Sequence, residues 1–143
     1  MTATTYHRLS DAAATALLQD AGINPTQQRV EIAAILFSQA QHCTADQVLA
    51  RVNAGPAYVS KATVYNTLHL FAEAGLVRVV VVDPSRTIFD SNTSPHQHAF
   101  NIDTGELSDI ADGALRVEGL PDLPPGTEIV DIEVIVRVRN RRP

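Results

Sequence analysis

The order of periodicities in this 143-residue chain predicts an α+β architecture: an N-terminal winged helix-turn-helix domain over residues 1–86, then a small α/β domain with an antiparallel sheet over residues 87–143. Three observations carry that reading. Segments of helical period, opened by capping residues, fill the chain up to Gly75. The period then switches to that of a β-hairpin, directly after the fourth helix. The closing stretch alternates apolar and mostly charged residues, as a strand with one buried face does.

Ser10 caps a first helix that Gly22 stops. Asn24-Pro25-Thr26 turns the chain into a second, with Val30, Ile32, Ile35 and Leu36 as its apolar face. Thr44-Ala-Asp-Gln47 is a capping box for a short third helix with Val48, Leu49 and Val52 inward, ended by Asn53-Ala-Gly-Pro56. Ser60 caps a fourth helix from residue 61 to about 74, closed by Gly75. Val64, Thr67, Leu68 and Phe71 fall on one side of it, and Ala62, Tyr65, Asn66 and His69 on the other. The Val-rich run 77–82, a turn at Asp83-Pro84-Ser85-Arg86 and a return over 87–90 complete a hairpin. Short helices followed by a hairpin are the layout of a winged helix-turn-helix, whose last helix reads the major groove. Lys61 suits a phosphate, Tyr65 offers ring and hydroxyl, and Asn66 can pair with a base edge. The bland alternative is a helical domain whose exposed helix is polar for solubility; the hairpin favours DNA.

In the second half, residues 98–103 and 106–110 pair around Thr104-Gly105. A loop with Gly113, Gly119 and Pro121-Asp-Leu-Pro-Pro-Gly126 follows, around one short helix. Over 128–139, Val130, Ile132, Val134, Val136 and Val138 alternate with mostly charged residues, which predicts one buried face. Three strands make a thin sheet with exposed edges, most economically completed by a second copy, so we expect a homodimer with this half as the dimerisation domain.

No window is apolar enough for a membrane helix, and MTATTYHRLS lacks the apolar core of a signal peptide, so a soluble, cytoplasmic protein with no membrane partner is expected. The single cysteine, Cys43, excludes an intrachain disulfide. The net charge of −5 argues at first against nucleic acid. Residues 1–86 hold six Lys/Arg against six Asp/Glu, however, whereas residues 87–143 hold five against ten and carry the whole excess. The two halves therefore suit different tasks.

Phe89-Asp90 followed by His96-Gln97-His98 is the chemical centre of the sequence. In extended chain, residues i and i+2 share a face, so His96 and His98 present two imidazoles with Gln97 turned away and Phe100 continuing the face as an apolar wall. Two imidazoles and the carboxylate of Asp90 suit a divalent transition metal. The bland alternative is a solvated acidic hairpin with incidental histidines.

From Gly22 onward the chain resembles the ferric uptake regulator family. Gly22-Ile-Asn-Pro-Thr-Gln-Gln-Arg29 is similar to the family's entry to its second helix, and His42-Cys-Thr-Ala-Asp-Gln-Val48 to its histidine-bearing third-helix start. Lys61-Ala-Thr-Val-Tyr-Asn-Thr-Leu68 resembles the recognition helix and is the most specific of these. The resemblance makes Arg29, Ser60, Lys61, Thr63, Tyr65 and Asn66 the DNA-binding set. It likewise makes His42, Asp90, His96, His98 and Asp109 the metal set, up to five N and O ligands suited to iron, manganese or zinc. Within the family the chain looks most like the iron response regulator branch, which implies control of iron and haem genes by metal or haem. The ligand spacing is also similar to that of peroxide-sensing repressors. Departures bear on the cofactors. The first structural Cys pair of many relatives is replaced by Asn101 and Thr104, and there is no second pair, so no structural four-cysteine zinc is expected. Gln97 interrupts the three consecutive histidines of some relatives in that branch, which favours a plain metal over haem at this spot. Asn24 stands where many relatives have a basic residue reaching the minor groove.

The expected function is a metal- or haem-responsive transcription regulator that binds a palindromic operator in double-stranded DNA as a homodimer. No enzymatic activity is expected. A metal shared by the two halves would fix the angle between them, and DNA affinity would report its occupancy. A small mononuclear metal enzyme is the rival from another class, but no nucleophile elbow, phosphate-binding Gly loop or enclosing barrel accompanies the ligands. A metal-storage module would leave residues 61–90 unexplained.

Overall fold

The computed structural model describes residues 7–55 and 58–143 and divides into two compact units, the first ending at Thr93 and the second running from Ser94 to Pro143. Pro56, expected to end the third helix, and the first six residues of the stretch read for a signal peptide lie outside the described residues.

In the first unit the helices stand as their caps dictate. Helix α1 (Asp11–Asp20) begins where Ser10 Oγ accepts from the Ala13 amide, and Gly22 closes it at φ +75°. Helix α2 (Gln27–Leu36) starts from Thr26, and Val30, Ile32, Ile35 and Leu36 are all buried. Strand β1 (His42–Cys43) is an element that periodicity does not reveal, because two residues carry no period. Helix α3 (Ala45–Asn53) has the reciprocal box: the Gln47 amide donates to Thr44 Oγ1 at 3.2 Å and the Thr44 amide to Gln47 Oε1 at 2.9 Å. Helix α4 (Lys61–Glu73) buries Val64, Thr67, Leu68 and Phe71 and exposes Ala62, Tyr65, Asn66 and His69, the division its spacing predicts.

Strands β2 (Arg78–Asp83) and β3 (Arg86–Asp90) form the antiparallel hairpin, and β1 adds to the other side of β3, giving the order β1-β3-β2. This pairing is why the first unit continues past residue 86, the boundary expected from the sequence: residues 87–90 pair with β2, and Phe89 and Asp90 with β1 as well. The core collects Leu18, Ile32, Leu36, Val48, Leu68, Phe71 and Phe89, all nearly solvent-free. Burial of each such side chain contributes about 1.5–3 kcal/mol.

The second unit is a sheet of β4 (His98–Asn101), β5 (Leu107–Asp109) and β6 (Ile135–Val138) in the order β5-β4-β6. The β4–β5 hairpin is antiparallel as expected, turning at Gly105 with φ +75°, but β6 runs parallel to β4, so the sheet is mixed. Two expectations fail here. No helix occurs among residues 110–134: Gly113, Gly119 and Gly126 all take positive φ, and with Pro121, Pro124 and Pro125 they leave no stretch long enough to nucleate one. The closing strand is also shorter than 128–139. Its ladder partner β4 has only four residues, from His98↔Ile135 to Asn101↔Val138, and this sets its length. The face expected to be buried stands open in the single chain, with Val130 92%, Val136 39% and Val138 41% exposed.

Candidate functional site

Sheet register builds the histidine cluster of the second unit. His98 pairs with Asp109 across β4 and β5, and both lie beside His96, which precedes β4. The His96 and His98 rings meet edge to face with centroids 4.5 Å apart. Their side chains are 5% and 1% exposed, and each Nε2 approaches the same carboxylate oxygen of Asp109, at 3.4 and 3.5 Å. The Ser94 carbonyl, which can only accept, lies 2.6 Å from His96 Nδ1. That nitrogen therefore carries the proton, and in the neutral ring Nε2 keeps its lone pair. A lone pair facing a carboxylate oxygen is stabilised by a cation bound to both. Two ligands of one ion, with bonds of about 2.1 Å, stand about 3.0–3.4 Å apart. The residues fit a metal.

The first unit contributes a second such pair. His42 on β1 lies opposite Asp90 on β3, with His42 Nε2 3.3 Å from Asp90 Oδ2. The Asp90 carboxylate is fully buried, and its other oxygen accepts from the Asn92 amide at 2.9 Å. Gln41 holds this corner together. Its amide nitrogen donates to the carbonyls of Ile35 and Leu36 at the end of α2, and its oxygen accepts from Arg51 Nη1 at 2.6 Å. The Gln41 and Ser91 backbones bond to each other at 3.1 Å, and Ser91 Oγ accepts from the Gln41 amide, extending the pairing that places His42. Cys43 next to it is buried, and burial pushes its thiol pKa up, with Arg51 acting the other way.

The residues expected to contact DNA lie on or near the open face of α4. Lys61 is exposed, 3.4 Å from Asp46 and 5.8 Å from the centre of the Tyr65 ring. Thr63 and Asn66 share a hollow of about 210 Å³ with Arg29 and the start of α2. Arg29 Nη1 donates to the Asn24 carbonyl at 2.9 Å, so Asn24 positions the arginine. Ser60 has a structural duty: its Oγ accepts from the Thr63 amide and donates to Thr63 Oγ1.

Residues 20–135 match the model of the ferric uptake regulator family. The chain belongs to the ferric uptake regulator family. A peroxide-responsive repressor of Staphylococcus aureus is 34% identical over 103 residues, covering 72% of this chain and 68% of that protein. Among solved structures, a ferric uptake regulator from Pseudomonas aeruginosa with manganese superposes with a TM-score of 0.69 at 29% identity, over 90% of this chain and 98% of that one. A ferric uptake regulator from Francisella tularensis with iron gives 0.66 at 20% identity, over 84% and 93%, a likeness of fold alone. Members of this family are transcription regulators rather than enzymes. Among the described residues, no helix is long and apolar enough to cross a membrane.

Sequence reasoning missed β1, the Gln41 brace and the work of two amides. Gln97 Oε1 accepts from the Val134 amide at 2.6 Å, and Asn101 Nδ2 donates to Asn140 Oδ1 at 2.9 Å. The Asn140 amide in turn donates to Asp103 Oδ2 at 2.9 Å. Single glutamines and asparagines carry no periodic signal; only the differences from some relatives at 97 and from many at 101 marked them.

Proposed function

We propose that this chain is a metal-responsive, DNA-binding transcription regulator of iron and haem homeostasis genes, acting from the cytoplasm on a palindromic operator as a homodimer. The observation that carries the metal reading is the meeting of two buried imidazoles on one carboxylate oxygen at His96, His98 and Asp109. Iron, manganese or zinc suits this N and O donor set. His42 and Asp90 are further candidate ligands on the family pattern, and their 3.3 Å approach suits that role. The metal, when bound, supplies a charge that holds ligands from distant parts of the chain in one arrangement, and DNA affinity follows its occupancy by linkage.

The unit of residues 7–93 acts as the winged helix-turn-helix domain on this reading. Lys61 and Arg29 meet phosphates, Tyr65 and Asn66 face base edges, Ser60 and Thr63 shape the start of the recognition helix, and the β2–β3 hairpin is the wing. The open apolar face of β6 supports the dimer, because a second copy removes both the exposed edge and the exposed valines. Haem is less well served than a plain metal, since Gln97 is engaged with the backbone rather than offering a third imidazole. Peroxide sensing is the second reading, favoured by the identity with the peroxide-responsive repressor.

The test is titration of an iron-box-like duplex with protein that is metal-free, Mn(II)-loaded, Fe(II)-loaded or haem-loaded. A metal-dependent change in affinity that disappears with His96→Ala and His98→Ala together is expected. Unchanged metal affinity in that double variant overturns the site. Loss of the Fe(II) response, but not the Mn(II) response, after hydrogen peroxide would favour the second reading.

A further inference from the structure

We propose that Gln97 is a positioning residue that couples metal binding at His96, His98 and Asp109 to the docking of strand β6; the inference rests on reading those three as ligands. Gln97 stands between the two histidines, and every polar group the argument needs is engaged away from them. Its side-chain oxygen accepts from the Val134 amide at 2.6 Å, and its side-chain nitrogen lies 3.4 Å from the Ile132 carbonyl. Its own carbonyl accepts from the Ile110 amide at 2.9 Å, beside Asp109. The His98 amide donates to the Val134 carbonyl at 3.3 Å, so residues 97 and 98 both grip residue 134, immediately before β6.

This gives one short backbone segment two sets of attachments. Residues 96 and 98 point imidazoles at Asp109, while residue 97, on the alternate side, points its amide at the entrance to β6. Holding both imidazoles on one cation narrows the backbone freedom of residues 96–98, and thereby that of the Gln97 side chain that aligns Val134 with β4. By linkage the reverse also holds: a docked β6 favours the ligand arrangement. Strand β6 is joined to the sheet along one edge through only four residue pairs, and such an element is sensitive to a single anchoring bond. A histidine at 97, as in some relatives of the iron response regulator branch, has no carboxamide with which to make both of these bonds.

The experiment uses the full chain. Co(II) titration read by visible d–d absorption reports binding and ligand geometry, and hydrogen exchange of the 134–138 amides is measured with and without Zn(II). In the unaltered chain, Zn(II) should slow exchange of these amides at least about tenfold. Gln97→Met keeps the volume and loses both side-chain bonds. It should still bind Co(II), with affinity lowered about fivefold, the size of one hydrogen bond, and should show less than about a twofold effect of Zn(II) on exchange. Gln97→Glu retains the acceptor for the Val134 amide and should restore the Zn(II) effect, which a loss of fold alone would not do. Full Zn(II) protection in Gln97→Met overturns the coupling while leaving the metal site standing. Absence of any Co(II) spectrum in the unaltered chain overturns the metal reading and this inference with it.

Discussion

His42 and Asp90 face each other across the β1–β3 pairing, imidazole Nε2 3.3 Å from a carboxylate oxygen with no solvent exposure. A two-residue strand thus exists to place one histidine against one buried acid. Removing the imidazole takes a favourable neighbour from a desolvated carboxylate. His42→Ala should lower stability of the metal-free protein by about 1–3 kcal/mol in urea unfolding. Equal midpoints would show that the pair contributes nothing without metal.

The two histidines of the second unit should differ in what they lose. His98 is at the centre of the sheet, between Asp109 and Ile135, while His96 lies outside the strands. His98→Ala should therefore reduce both thermal stability and metal affinity, whereas His96→Ala should reduce metal affinity with little change in Tm. Calorimetry with and without Zn(II) separates the two effects.

On the α4 face, Asn66→Ala should weaken operator binding by about 1–3 kcal/mol and relax sequence preference at one position. Lys61→Ala should instead weaken all duplexes alike and make the slope of log K against log salt shallower by about 0.9, the share of one neutralised phosphate. Binding isotherms at four salt concentrations, on operator and scrambled duplexes, distinguish a base-reading side chain from a phosphate-binding one.

Cys43 is buried and its thiol is held neutral by desolvation, above the ordinary thiol value, despite Arg51 nearby. Alkylation by iodoacetamide at pH 8 should be at least about tenfold slower in the folded chain than in urea, since only the thiolate reacts. Rapid labelling of the native protein would show that this corner opens.

Much of the first unit was legible because its helices announce themselves twice, by caps and by period. Ser10, Thr44 and Ser60 each cap the helix that follows, and the α4 faces divide residue by residue as expected. The structure sets His42 against Asp90 and His96 and His98 against Asp109, all residues that the sequence singles out with the help of the family pattern. What escaped was everything decided by pairing at a distance. The parallel β4–β6 ladder, the length of β6 and the strand at His42 depend on which backbone segments meet, and no local period encodes that. The expected short helix failed for the opposite reason: local glycine and proline preferences overruled it.

The tie between the end of β4 and the C-terminal residues is made of carboxamides and a carboxylate: Asn101 to Asn140, and Asn140 to Asp103. None of these atoms binds a soft metal strongly or is consumed by an oxidant, and the 143-residue sequence has only one sulfhydryl, Cys43, in the first unit. This join therefore holds no thiol for an oxidant to attack.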